Sequence, residues 1–160
     1  MPVEIPIDKW PGAVRIITLG ATAADGGTRS HSITVGGEKA LPYMHFEAGM
    51  PCKPVVAIEI RDRRPEDWSP LLLETWGEVA DDPGLWAKAA EQVGAELIEI
   101  MLSPTDKEGK PNTPEAAVAA VKAVLQATGL PVLVFGRVKL SWIIPCSSRL
   151  PRPPKVSAWF

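Results

Sequence analysis

A chain of 160 residues with 46% apolar content is long enough for one domain with a substantial core. Its net charge of −2 conceals an asymmetry: residues 1–136 hold 12 Lys and Arg against 19 Asp and Glu, or −7, and residues 137–160 hold five basic residues and no acid, or +5. An acidic body argues against a nucleic-acid partner, which needs a clustered basic surface, and two cysteines are too few for an iron–sulfur cluster, which takes about four thiolates.

The N-terminal third is dominated by two Gly-Gly pairs, Gly26-Gly27 and Gly36-Gly37, flanking a Thr-, Ser-, Ile- and Val-rich run. Glycine reaches positive φ without steric cost, so each pair can close a hairpin. The expected element is an antiparallel ribbon: Ala13–Gly20 up, Thr28–Val35 back, and a short third piece over Leu41–Phe46. His31 and His45 lie within it, but neither has partners at metal-ligand spacing, and structural roles are expected for both. No apolar run approaches bilayer-spanning length, and Met1–Trp10 carries no secretory pattern. Cys52 and Cys146 stand far apart, as ordinary thiols of a reducing, cytoplasmic protein would.

Beyond the ribbon, strands and helices alternate. Pro54–Ile60, Glu96–Leu102 and Pro131–Phe135 are nearly continuous apolar runs, the pattern of strands buried on both faces. Asp82 before Pro83 is an N-cap followed by a favoured first helical residue, predicting a helix to about Val93 that stops at Gly94. Thr113 and Pro114 repeat that start, with Ala117, Val118, Val121, Val124 and Leu125 at helical spacing and Gly129 as the stop. Trp68–Val79 reads as a shorter helical or irregular insert. The order ribbon–β–α–β–α–β implies parallel strands. It suits a doubly wound sheet or the opening of a (β/α)8 barrel, and the lack of a glycine-rich loop after Ile60 disfavours a dinucleotide site.

Glu59 and Glu99 each interrupt an apolar strand at a similar position. A buried carboxylate must pair, protonate or reach solvent. Arg61, two residues beyond Glu59, shares its face of the strand and is the expected ion-pair partner. No Ser or Cys sits in a nucleophile-elbow setting. No catalytic residue and no metal ligand is assigned.

Residues Gly20-Ala21-Thr22, Gly26-Gly27-Thr28-Arg29-Ser30-His31, Val35-Gly36-Gly37, Ala40-Leu41-Pro42 and His45-Phe46-Glu47 closely resemble the small (delta) subunit of the corrinoid iron–sulfur protein of the CO dehydrogenase/acetyl-CoA synthase system. The resemblance continues through Pro54-Val55, Ile58-Glu59, Trp86-Ala87, Gly94-Ala95, Leu97-Ile98 and Pro131-Val132, covering Val14 to Gly136. It implies a partial TIM barrel of the pterin-binding type, with about three βα units. The implied organisation is an N-terminal β-ribbon region (1–52), the first part of a barrel (53–136) and an aberrant Pro- and Arg-rich tail (137–160). The resemblance implies a binding subunit rather than a catalyst. Its partner is a large subunit holding the iron–sulfur cluster and the corrinoid-binding domain. The barrel helps cover the corrinoid (cobalamin) while a methyl group passes from methyltetrahydropterin to acetyl-CoA synthase in the reductive acetyl-CoA pathway. Methyltransferase and acetyl-CoA synthase are the implied transient partners. Alternatives are a pterin-dependent methyltransferase and a non-functional truncated product.

Sites on such barrels lie where strands end, which makes Arg61, Asp62, Ser103, Thr105 and Asp106 the candidate cofactor-binding residues. The third strand's equivalent falls after Gly136, where the tail has no helical period and no acid. Back-translated with G/C-leaning codons and read two bases later, that stretch spells a loop and an Ala-rich helix carrying Glu. The expectation is a frameshift; a Pro-rich linker is the alternative.

Overall fold

The computed structural model describes residues 4–105, 109 and 112–136. The predicted tail, with Cys146, lies outside the described residues, as does Asp106. The architecture is mixed α/β, with a two-stranded antiparallel sheet followed by an open three-stranded parallel sheet and its helices.

The ribbon forms, but shorter than expected. Strands β1 (Ile17–Leu19) and β2 (Ile33–Val35) pair antiparallel, Ile17 opposite Val35 and Leu19 opposite Ile33. Gly36 and Gly37 take φ of 93° and 91° but close no hairpin: they continue the ribbon beside Val14, with the Gly37 amide donating to the Val14 carbonyl and the Val14 amide to that of Glu38, and a Cβ at Gly36 would collide with the Arg15 carbonyl oxygen. Gly26-Gly27 does not close a two-residue hairpin. It ends a 3-10 turn, Ala23–Asp25, inside a longer connection. The expected third piece, Leu41–Phe46, is not a strand: Pro42 lacks an amide donor and opens a 3-10 turn, Pro42–Met44.

In the second sheet β3 (Ala57–Arg61), β4 (Leu97–Leu102) and β5 (Val132–Gly136) run parallel in the order β3-β4-β5. Helix α1 (Pro70–Trp76) and a 3-10 turn, Gly77–Asp81, follow β3 and lead into α2 (Pro83–Gln92); α3 (Pro114–Ala127) joins β4 to β5. Both sequence-predicted helix starts are present. Asp82 Oδ1 accepts from the amides of Gly84 and Leu85 at 2.8 and 2.9 Å, and Thr113 Oγ1 accepts from Ala116 N at 3.2 Å.

The core lies on one face of this sheet. Ile60, Ile98, Ile100 and Leu102 pack against Trp86, Ala87 and Ala90 of α2 and Val121 and Val124 of α3. Trp86 is fully buried, with Trp68 set edge-on at 5.4 Å and Trp76 at 5.8 Å. Side chains alternate along a strand, so the opposite face carries Glu59 and Arg61, Glu99 and Met101, Leu133 and Phe135, in register across three strands. Leu97, on that face at the start of β4, is buried, and Glu59, Arg61, Glu99, Met101 and Leu133 are half-buried; among the described residues β3 and β5 each leave an edge unpaired.

The ribbon attaches at the N-terminal end of the parallel strands. Arg29 Nη1 donates to the carbonyls of Thr128 (2.7 Å) and Leu130 (3.3 Å), and Nη2 to that of Leu125 (2.7 Å). Ser30 adds its amide and hydroxyl to the Gly129 carbonyl at 2.8 and 2.9 Å. Arg29 thus occupies the carbonyl end of α3, where the helix leaves acceptors without intrahelical donors and where a cation is electrostatically favoured. Burial lowers the Arg29 pKa, but a guanidinium keeps its charge.

Candidate functional site

The C-terminal ends of β3 and β4 meet in a cleft of about 650 Å³. Arg61, Arg63, Arg64, Asp67, Ser103 and Pro104 supply its polar and loop walls, with Met101 and Phe135 as apolar surface. It lies at the opposite end of the sheet from the ribbon.

Asp62 organises the wall behind it. Its Oδ1 accepts from Ser103 Oγ at 2.6 Å, and its Oδ2 from Ser103 N and Asn112 Nδ2, both at 3.0 Å. Asn112 Nδ2 also donates to the Ser103 carbonyl at 3.1 Å, and the Asn112 amide to that of Pro104 at 2.9 Å. The carboxylate therefore ties the loop after β3 to both ends of the loop between β4 and α3. Asp62→Ala is expected to cost about 2 kcal/mol, since it strands three donors in a half-buried site. Urea denaturation measures the loss, and hydrogen exchange should localise it to the amides of Ser103 and Asn112.

The arginines differ in what they already hold. Arg61 Nε lies 3.4 Å from Glu59 Oε1, as the strand spacing predicted, and its Nη1 lies 2.8 Å from Asp67 Oδ1. Its guanidinium also stands 5.3 Å from the Trp68 ring centroid, a cation–π arrangement. Arg64 Nη1 donates to the Gly77 carbonyl at 2.9 Å and pairs with Asp81 at 3.2 Å, bracing the loop against the end of α1. Arg63 makes no hydrogen bond or ion pair among the described residues and lines the cleft as an uncommitted cation.

Of the sequence-predicted candidates, the structure brings Arg61, Asp62 and Ser103 together, and it places Thr105, half-buried, two residues beyond Ser103. Arg61 and Ser103 reach the cleft surface, whereas Asp62 braces it from behind. Asn112 and Phe135 were missed as site residues, whereas Arg63 lies in the charged run after the first strand where a site was expected. A polar residue just before the Thr113-Pro114 helix start was the available sign for Asn112.

The CO dehydrogenase/acetyl-CoA synthase delta-subunit family model matches residues 17–141, which take in the ribbon strands, all three parallel strands and the cleft. The chain belongs to that family. It is 37% identical over 130 residues to the delta subunit of the acetyl-CoA decarbonylase/synthase complex of Archaeoglobus fulgidus, covering 81% of this chain and 28% of that protein. The delta 1 subunit of Methanosarcina thermophila is 38% identical over 131 residues, covering 81% and 30%, and the delta subunit of Methanocaldococcus jannaschii 31% over 134, covering 83% and 32%. The chain thus spans about three tenths of the length of the delta-subunit relatives it matches. Those relatives are named as subunits of a complex. No helix among the described residues is long and apolar enough to cross a membrane.

Proposed function

We propose that this chain forms the opening part of a (β/α)8 barrel whose strand-end cleft supplies one wall over a corrinoid held by a larger subunit. Delta-subunit family membership over residues 17–141 carries this reading. Three parallel strands with two edges unpaired among the described residues, in a chain about a third as long as the delta-subunit relatives it matches, support the barrel.

The cleft residues fit such a cofactor. A corrinoid is a broad ring fringed with amides, so a covering wall needs apolar surface and hydrogen-bond donors on one open side. Met101 and Phe135 offer the first, and the uncommitted Arg63 guanidinium offers the second. When bound, the corrinoid supplies the cobalt that carries a methyl group. The chain's own part is to hold the wall in place: Asp62 fixes the Ser103 loop, and Arg64 fixes the loop bearing Arg63. In this reading the chain is a non-catalytic subunit that acts between a methyltransferase and acetyl-CoA synthase.

The test is co-purification of the 160-residue chain with a corrinoid-loaded large subunit of the family's complex. A complex is expected, and Arg63→Ala should weaken it about tenfold, the loss of one charge-assisted contact. Methyl transfer from methyltetrahydrofolate to free cob(I)alamin by the chain alone, with no corrinoid subunit present, would instead establish the methyltransferase alternative. Failure to form any complex would favour the non-functional product.

A further inference from the structure

Three guanidiniums line the strand-end cleft, and among the described residues Arg63 alone of them has no acid beside it. Arg61 is engaged by Glu59 and Asp67, and Arg64 by Asp81 and the Gly77 carbonyl. The backbone on both sides of Arg63 is held. Asp62 accepts from Ser103 and Asn112, Arg64 is braced as described, and Pro65 is buried. On that frame the Arg63 side chain is half-buried, so it has lost part of its hydration without gaining an anion. Glu66, which also lines the cleft, is exposed and keeps its water. The carboxylates of Asp62 and Asp67 are taken up by their own donors. Met101 and the exposed ring of Phe135 add apolar surface to the same cleft.

A guanidinium is a planar fork of N–H donors that matches the paired oxygens of a carboxylate or a phosphate. Partly withdrawn from water, that pairing is stronger than on an open surface. Arg61 Nη2 and Arg64 Nη2 make no hydrogen bond among the described residues and leave further donors in the same wall. The cleft volume of about 650 Å³ falls within the range of roughly 300–1,000 Å³ usual for small-molecule sites. We propose that the cleft binds a small organic oxyanion, a carboxylate or phosphate ester on an apolar body. Arg63 holds the anionic head, and Met101 and Phe135 pack against the body. An amide fringe leaves the charge of a guanidinium unmatched, so this inference goes beyond the corrinoid reading, and it needs no second subunit.

The experiment titrates the 160-residue chain with benzoate, benzamide, phenyl phosphate and inorganic phosphate at constant ionic strength. Proton–nitrogen correlation spectra that include the arginine Nε–H signals read both affinity and place. Benzoate or phenyl phosphate should bind with a Kd on the order of 1 mM and shift the Arg63 signal. The tighter of the two names the head group as carboxylate or phosphate ester. Benzamide, which has the shape of benzoate without its charge, should bind at least tenfold more weakly, and inorganic phosphate more weakly than phenyl phosphate. Arg63→Gln should weaken the better anion about tenfold, the loss of one charge-assisted contact, and Arg63→Lys should recover part of it. Both variants should keep the fold, because no described contact depends on the Arg63 side chain. Benzamide binding as tightly as benzoate, anion affinity untouched by Arg63→Gln, or no saturable binding to the unaltered chain each overturns the proposal. A chain that binds these anions yet takes no corrinoid-loaded subunit leaves this inference standing while the proposed function falls. A corrinoid complex formed by a chain that binds neither anion does the reverse.

Discussion

Replacing Trp86 with alanine should lower the unfolding free energy by about 3–5 kcal/mol, among the largest effects of any single substitution in this chain. The indole is fully buried at the centre of the core, between the isoleucines of the sheet and Trp68 and Trp76. Truncation would leave a cavity that rigid neighbours cannot fill, since strands fix the Ile60 and Ile100 positions and ring contacts fix the other side. The same residue offers an internal control. Its Nε1 is buried and has no hydrogen-bond partner among the described residues. Trp86→Phe therefore removes an unsatisfied donor along with some volume, and the two effects partly cancel. The expected order is a loss of about 1 kcal/mol for Phe against about 4 for Ala. Urea titration followed by far-ultraviolet circular dichroism compares them; a loss for Phe of about 2 kcal/mol, its volume cost alone, would show that the buried N–H carries no penalty.

Arg29→Ala should detach the ribbon, at a cost of about 2–4 kcal/mol. Three carbonyl oxygens at the end of α3 lose their shared donor. Arg29→Lys should recover only part of this, because a single ammonium cannot reach three acceptors with the geometry of a planar fork. The diagnostic readout is local: hydrogen exchange should rise at Ser30 and Thr128 while the amides of β4 stay protected. Uniform loss of protection across the chain would mean that ribbon and sheet form one cooperative unit, so that Arg29 supports the whole fold rather than one attachment.

What the residues disclosed in advance depended on how far apart the interacting groups lie. Asp82-Pro83 and Thr113-Pro114 announced two helix starts because a cap and the amides it satisfies are within three residues. The three apolar runs located the parallel strands to within a few residues for the same reason. Glu59 with Arg61 was legible because a strand returns to the same face every second residue. The third ribbon piece misled: its apolar content suggested a strand, and Pro42 turned it into a helical turn. The long-range contacts had no local sign. Asn112 finds Asp62 across 50 positions, and Arg29 finds Thr128 across 99. Neither a carboxylate after a strand nor an arginine in a glycine-rich loop says which distant backbone it will meet.

One arrangement at the cleft also gives the molecule an intrinsic optical reporter. Arg61 rests over Trp68, which meets Trp86 edge-on, and Trp86 in turn lies against Trp76. Indoles held at fixed mutual angles couple their electronic transitions and give near-ultraviolet circular dichroism bands that isolated rings lack. Whatever draws the guanidinium away from Trp68 disturbs the first member of that coupled set, so occupancy of the cleft can be followed without any attached dye.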